Sequence, residues 1–243
     1  MAAWDYEANG PATWSKSFPL AAGKRQSPID INPGSVSKHS VSALVASYNP
    51  AASNTLTNTG LSFQVSVDGT LSGGPLGNDY KAASFHFHWS HTSAEGSEHT
   101  VGGKAYAAEA HIVHYNSAKY ASFQDAVKAD DGLAVLATFI QPGSTNAGVQ
   151  KIVDLLPSVP KKGDIATIAG GFDASCLLPG DQSKYWYYPG SLTTPPCFES
   201  VTWIVYKEPI QMSENQLAAL RKITGCNFRP TLGLCGRQVS SSF

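Results

Sequence analysis

Short apolar runs, separated by glycine and proline, limit how this chain can fold. The 243 residues include 22 glycines and 15 prolines, which interrupt helices and sheet ladders. The segment 61–68 alternates apolar and polar side chains and predicts a half-buried strand that ends at Gly69. Its apolar face carries Leu61, Phe63, Val65 and Val67. Further strands are predicted in segments rich in aromatic and β-branched residues: 84–89, 108–115, 133–141 and 200–206.

Apolar residues at helical spacing occur in only three places. One stripe ends before Pro157, and a second, shorter helix is predicted in 120–128. The third follows a capping-box pattern, Ser213 to Gln216, that leads into an apolar stripe. The first stripe consists of Val149, Ile152, Val153 and Leu156, and the third of Leu217, Leu220 and Ile223. We therefore predict one β-dominated mixed α/β domain over residues 1–243.

Charge and hydropathy exclude several classes of partner. Lysine and arginine number 17 and acidic residues 18, a net charge of −1, so we expect neither a nucleic-acid nor a membrane partner. The longest apolar stretch, 133–140, is far shorter than the roughly 20 residues of a membrane span. Segment 1–10 carries Asp5 and Glu7 and lacks the apolar core of a signal peptide. We expect a cytoplasmic protein, or a secreted one only if Met1 is not the natural start.

The four cysteines, Cys176, Cys197, Cys226 and Cys235, form no Cys-x-x-Cys pair and are too few for a disulfide scaffold. We predict that they are reduced and mostly buried. A bridge between Cys226 and Cys235 is the alternative.

The placement of the histidines is the most informative feature. His86 and His88 stand two residues apart in a predicted strand, so both point to one face and could hold a metal ion. Two ordinary, partly buried histidines are the alternative. Glu109 and His111 also share one strand face, with His114 on the other. A carboxylate next to a metal-binding histidine accepts a hydrogen bond from the histidine ring and fixes its orientation. In the alternative, Glu109 only accepts the hydrogen bond of a histidine in the protein core. Three neutral imidazoles with one open position are typical of a catalytic zinc site.

Further motifs accompany these histidines in a fixed order: RQSPIDI at 25–31, FHFHW at 85–89, GSEHTV at 96–101 and YPGSLTTPP at 188–196. With them the sequence resembles the α-class carbonic anhydrases over nearly its whole length. The resemblance implies a large, twisted, mostly antiparallel sheet with short peripheral helices and a conical active-site cavity that reaches a zinc ion. It also implies a zinc-dependent hydro-lyase with a role in pH regulation. Such an enzyme hydrates carbon dioxide reversibly to bicarbonate and a proton by attack of zinc-bound hydroxide.

The resemblance also implies the roles of individual residues. His86, His88 and His111 look like the zinc ligands, with Glu109, Ser84 and Asn227 as their outer partners. Thr193 looks like the residue that orients the hydroxide while donating to Glu98, and Tyr6, Thr59 and Gln64 match the ordered-water positions. The substrate pocket is matched by Val113, Val135, Leu192, Thr194, Val201 and Trp203. Inhibition by sulfonamides and anions is expected, and a monomer is the default.

Three positions depart from the family pattern. Leu61 stands where fast members have a proton-shuttling histidine, so we expect active but proton-transfer-limited turnover. Ser84 replaces a glutamine that would bind His86, which predicts modestly weaker zinc binding. Cys197 has no cysteine in 19–26 with which to form the bridge of secreted relatives, which favours a cytosolic-type member. A catalytically weak or inactive scaffold of the same fold is the alternative function.

Overall fold

Strands dominate the computed structural model, which describes residues 4–243. The described residues contain fifteen strands and three α-helices. The strands are β1 (Asp30–Ile31), β2 (Ser37–Lys38), β3 (Val45–Tyr48), β4 (Thr55–Asn58), β5 (Phe63–Ser66), β6 (Gly69–Ser72), β7 (Tyr80–Trp89), β8 (Thr100–Val101), β9 (Ala108–Tyr115), β10 (Leu133–Pro142), β11 (Ile165–Thr167), β12 (Tyr185–Gly190), β13 (Val201–Tyr206), β14 (Ile210–Met212) and β15 (Ser240–Ser241). The helices are α1 (Phe123–Ala126), α2 (Ala147–Leu155) and α3 (Glu214–Leu220), and short 3₁₀ turns occupy several loops.

Thirteen of these strands form one twisted, mixed sheet in the order β11-β4-β5-β7-β9-β10-β13-β12-β15-β2, with β14 beside β10, β6 beside β7 and β3 beside β6. Most neighbours are antiparallel, including β7–β9 and β9–β10. The pairs β10–β13, β10–β14 and β15–β2 are parallel. A separate parallel pair joins β1 to β8. The prediction of a β-dominated fold with a mostly antiparallel sheet and short helices is confirmed.

The central strands follow the predicted segments closely. β9 has the predicted bounds, and β10 and β13 differ from theirs by one residue. β7 begins four residues earlier than predicted, at Tyr80. All but the last residue of β9 is buried, including the polar Glu109, His111 and His114, because the strand lies between β7 and β10 inside the sheet.

The predicted strand 61–68 is too long, because a turn replaces its first residues. Only Phe63–Ser66 forms a strand. The Thr59 backbone N–H donates to the Ser62 carbonyl at 2.9 Å, and Gly60 has a φ of +87°, which favours glycine. Phe63, Val65 and Val67 are buried as predicted. Leu61 lies in the turn, outside the core face.

Helices α2 and α3 pack on the same side of the sheet. Val149 and Ile152 of α2 and Leu217 and Leu220 of α3 are buried in the larger apolar core, together with residues of β5, β7 and β9. The capping box at Ser213 and Gln216 is present. Helix α1 is shorter than the predicted 120–128.

The structure also bears on the predictions about the cysteines and about membrane-spanning segments. All four cysteines are free thiols, so the alternative Cys226–Cys235 bridge is not formed; Cys235 is exposed and Cys197 buried. Among the described helices none has the length and hydropathy to cross a bilayer. Residues 1–3, on which the interpretation of the N-terminus partly depends, lie outside the described residues.

Candidate metal centre

Three histidine rings converge where β7 and β9 pair. The antiparallel register sets His86 directly opposite His111, and the two-residue spacing brings His88 to the same face. Nε2 of His86 lies 3.1 Å from Nε2 of His88. One ring nitrogen from each histidine lies within 4.8 Å of the others. The rings of His86 and His111 are perpendicular, with centroids 5.3 Å apart.

The outer nitrogens of two rings are already occupied, which decides which nitrogens face inward. Nε2 of His111 lies 2.7 Å from Oε1 of Glu109, and Nδ1 of His88 lies 2.7 Å from the Asn227 carbonyl. Both acceptors require a proton on the nitrogen they contact, so Nδ1 of His111 and Nε2 of His88 keep their lone pairs. In the described residues no hydrogen bond joins Ser84 to His86, so the third ring lacks such an anchor.

Burial keeps the three rings neutral. Desolvation, and secondly the neighbouring His111, lowers the pKa of His86 to about 3. Burial also lowers the pKa of His88 and the pKa of His111. At His111 the neighbouring Glu109 raises the pKa, but burial outweighs it. Neutral imidazoles are the form that binds a metal. A tetrahedral zinc ion with Zn–N bonds of about 2.0–2.1 Å needs ligand nitrogens about 3.3 Å apart, so these donors fit zinc and leave a fourth position open.

Glu109 is a fully buried carboxylate whose two oxygens accept four hydrogen bonds. Oε1 contacts Nδ1 of His99 and Nε2 of His111, each at 2.7 Å. Oε2 accepts the backbone N–H groups of Glu98 at 2.9 Å and His99 at 2.8 Å. Burial would favour the neutral acid, but the interactions with His99 and His111 outweigh it and lower the pKa of Glu109. The carboxylate is therefore ionised and fixed in orientation.

Glu98 and Thr193 lie together behind the histidines. Oε1 of Glu98 accepts the Arg229 backbone N–H at 2.9 Å and lies 3.3 Å from Nδ1 of His88. Burial and the charge of Glu109 raise the pKa of Glu98, whereas the Thr193 hydroxyl lowers it. Oε2 of Glu98 has no partner at ordinary hydrogen-bond geometry in the described chain. Thr193 is 5% exposed, so its contact with Glu98 is shielded from water.

Comparisons with known proteins agree with this geometry. Residues 9–243 match the family model of eukaryotic-type carbonic anhydrase. The chain belongs to the eukaryotic-type carbonic anhydrase family. It is 46% identical over 259 aligned positions to carbonic anhydrase 1 of Monodelphis domestica, which covers 99% of this chain and 98% of the relative. It is 44% identical over 258 positions to carbonic anhydrase 1 of Mus musculus, with the same coverage.

A cavity of about 200 Å³ reaches two of the three converging histidines of this carbonic anhydrase chain. His86 and His88 lie in its wall, and Trp4, Ser62 and Phe63 contribute to its lining. The structure also brings predicted site residues from four distant segments to this cavity: Tyr6, Thr59, Leu61, Gln64, Thr194 and Asn227. The Trp4 and Tyr6 rings pack edge to face, with centroids 5.8 Å apart.

The five apolar residues matched to the family's substrate pocket lie together, but deeper. Val113 of β9 is opposite Val135 of β10, which is opposite Trp203 of β13. Val201 and Leu192 belong to the same apolar cluster. The Trp203 ring lies 4.8 Å from that of His111, between centroids. In the described part of the chain none of the five lines the 200 Å³ cavity; they form an apolar layer beside His111.

Two sets of contacts in this site were not predicted: those of the His99 ring and those of the Asn227 side chain. His99 connects Glu109 to Tyr188, with Nε2 2.6 Å from the Tyr188 hydroxyl, and that hydroxyl donates to Oγ of Ser27 at 2.8 Å. The side chain of Asn227 donates from Nδ2 to the Leu61 carbonyl at 2.8 Å and accepts the Trp89 backbone N–H at 2.7 Å. The position of His99 inside the GSEHTV motif was the only sequence signal for the first set. Nothing local signals the second.

Proposed function

We propose that this chain catalyses the reversible hydration of carbon dioxide to bicarbonate and a proton, with zinc held by His86, His88 and His111. The observation that carries the proposal is the convergence of one nitrogen from each of three neutral rings, with the outer nitrogens of His111 and His88 fixed by Glu109 and Asn227. When bound, zinc supplies a water-derived nucleophile at neutral pH, as carbonic anhydrases do in general.

The residues around the histidines orient the reaction. Thr193 donates its hydroxyl hydrogen to Glu98, which leaves the threonine oxygen to accept a hydrogen bond from the attacking group and fix its direction. The pKa shifts at Glu98 agree with this donation. Carbon dioxide has no charge, and the apolar layer of Val113, Val135 and Trp203, which lies beside His111 and deeper than the cavity, provides the apolar surroundings that it favours. Leu192, Thr194 and Val201 complete the proposed substrate pocket.

Each turnover leaves one proton to be removed, and among the described residues that line the cavity the only histidines are His86 and His88. Leu61 lines the cavity where the family places a histidine, and an aliphatic side chain cannot transfer a proton. Tyr6, Thr59 and Gln64 line the same cavity and supply polar groups for a water chain. We propose that proton transfer limits the rate and that a small imidazole buffer restores it.

Stopped-flow hydration of carbon dioxide tests both parts of this proposal. The zinc-loaded protein is measured over a series of imidazole concentrations, next to Leu61→His and Leu61→Phe. We expect a rate that rises steeply with imidazole, and a rate in Leu61→His about tenfold or more above wild type in weak buffer. Leu61→Phe, which fills space without a titrating group, should behave as wild type. A high rate indifferent to imidazole would refute the proton-transfer limit, and no rate above background would favour an inactive scaffold.

Further properties follow from the same proposal. Sulfonamides and small anions should inhibit by occupying the open ligand position. We also propose a cytoplasmic, monomeric protein with one domain over residues 1–243.

A further inference from the structure

A second pocket lies outside the metal centre, where the ends of α2 and α3 meet. Its volume is about 450 Å³, more than twice that of the metal cavity and within the range of small-ligand sites. Its walls are Val153 and Leu156 at the end of α2, Val159 beyond it, and Ala219 and Ile223 at the end of α3. The exposed Pro157 and Pro160 form part of the opening. The walls are therefore mostly hydrocarbon.

The polar side chain inside the pocket makes one hydrogen bond to the protein with each of its two polar atoms. Asn58 is buried, and its Nδ2 donates to the Val159 carbonyl at 2.8 Å. Its Oδ1 accepts the Gly60 backbone N–H at 2.7 Å. A polar group placed deep in this pocket would lose water and would find only the remaining hydrogen-bonding capacity of Asn58 as a partner. The interior therefore favours an apolar chain.

The opening carries a positive charge. Lys222 lines the pocket and is exposed, and none of the salt bridges among residues 4–243 includes it. Lys161 and Lys162 follow Pro160 directly, and the Lys162 side chain packs over Gly60. The nearby Asp164 carboxylate accepts the Lys161 backbone N–H at 2.8 Å. A ligand with an anionic head and an apolar tail matches this arrangement.

We propose that this pocket binds a single-chain amphipathic carboxylate, a medium-chain fatty acid. Its alkyl chain lies among Val153, Leu156 and Ile223, and its carboxylate pairs with Lys222. The site is separate from the metal centre and does not depend on the proposed activity.

Isothermal titration calorimetry of the zinc-loaded full chain with hexanoate, octanoate and decanoate tests the proposal. Each added CH₂ buried in the pocket should tighten binding about fourfold. Ala219→Trp, which fills the pocket, should abolish decanoate binding. Lys222→Glu, an exposed change that leaves the core intact, should weaken it about tenfold or more. Ala218→Trp, on the exposed face of the same helix, is the matched control and should bind as wild type.

The contrary outcomes are equally defined. No measurable decanoate binding would overturn the proposal. So would binding that Lys222→Glu leaves unchanged, or binding that does not vary with chain length. Binding that a saturating sulfonamide removes would place the carboxylate at the metal centre and would also overturn it. None of these results changes the expectation for carbon dioxide hydration.

Discussion

Replacing Glu109 with glutamine tests how the protein controls the tautomer of His111. Oε2 accepts two backbone N–H groups, which cannot change their role, whereas Oε1 contacts two imidazoles, which can. The glutamine carbonyl must therefore face the backbone and its NH₂ must face His99 and His111. That NH₂ needs an acceptor, so Nε2 of His111 loses its proton and Nδ1, the inward nitrogen, gains one.

The consequence is competition between a proton and zinc at Nδ1 of His111. Loss of such an outer partner costs about 10- to 100-fold in metal affinity, or about 1.4–2.7 kcal/mol. Zinc affinity is measured by competition with a chromophoric chelator, and the thermal unfolding of the metal-free variant reports separately on the fold. Glu95→Gln, at an exposed carboxylate, is the control and should bind zinc as wild type. A folded Glu109→Gln variant with wild-type zinc affinity would refute the reasoning.

Three further perturbations have defined outcomes. Ser84→Gln supplies a side chain long enough to reach His86 and should tighten zinc binding about tenfold in the same competition assay; unchanged affinity would contradict the interpretation of Ser84. His114 is buried with a pKa lowered to about 4, chiefly by desolvation. Because this folded-state pKa lies below the unfolded value of about 6.5, the stability from neutral His114 is complete above pH 6.5 and is lost as the pH falls toward 4. Urea unfolding should show wild type losing about 3 kcal/mol more than His114→Gln between pH 7.5 and pH 4, and parallel losses would contradict this. Ser213→Ala removes the cap of α3 and should lower the free energy of unfolding by about 1 kcal/mol; Ser117→Ala, at an exposed position, should not.

Local sequence patterns predicted the central strands but not how they meet. Period-two spacing placed His86 with His88, and Glu109 with His111, on common faces. It did not determine the register that sets His86 opposite His111, because that register depends on an irregularity between Ala82 and Ser84. Resemblance to the family supplied the grouping that the pattern lacked.

Segment 61–68, which was predicted to form a longer strand than it does, shows a second limit of local patterns. Alternation assigned Leu61 to the same buried face as Phe63, but Gly60 turns the chain, and Asn227 binds the Leu61 carbonyl from 166 residues away. Contacts at such separation leave no periodic signal in the sequence. The same holds for His99, whose partners are Glu109 and Tyr188.

The central claim is that three histidines hold a zinc ion on which hydration depends. The most direct test adds zinc in steps to the chelator-treated protein and measures carbon dioxide hydration by stopped flow. The account predicts activity that rises in proportion to zinc, stops at one equivalent, and stays at background throughout in His111→Ala. Activity without zinc, or equal activity in His111→Ala at one equivalent, would contradict it.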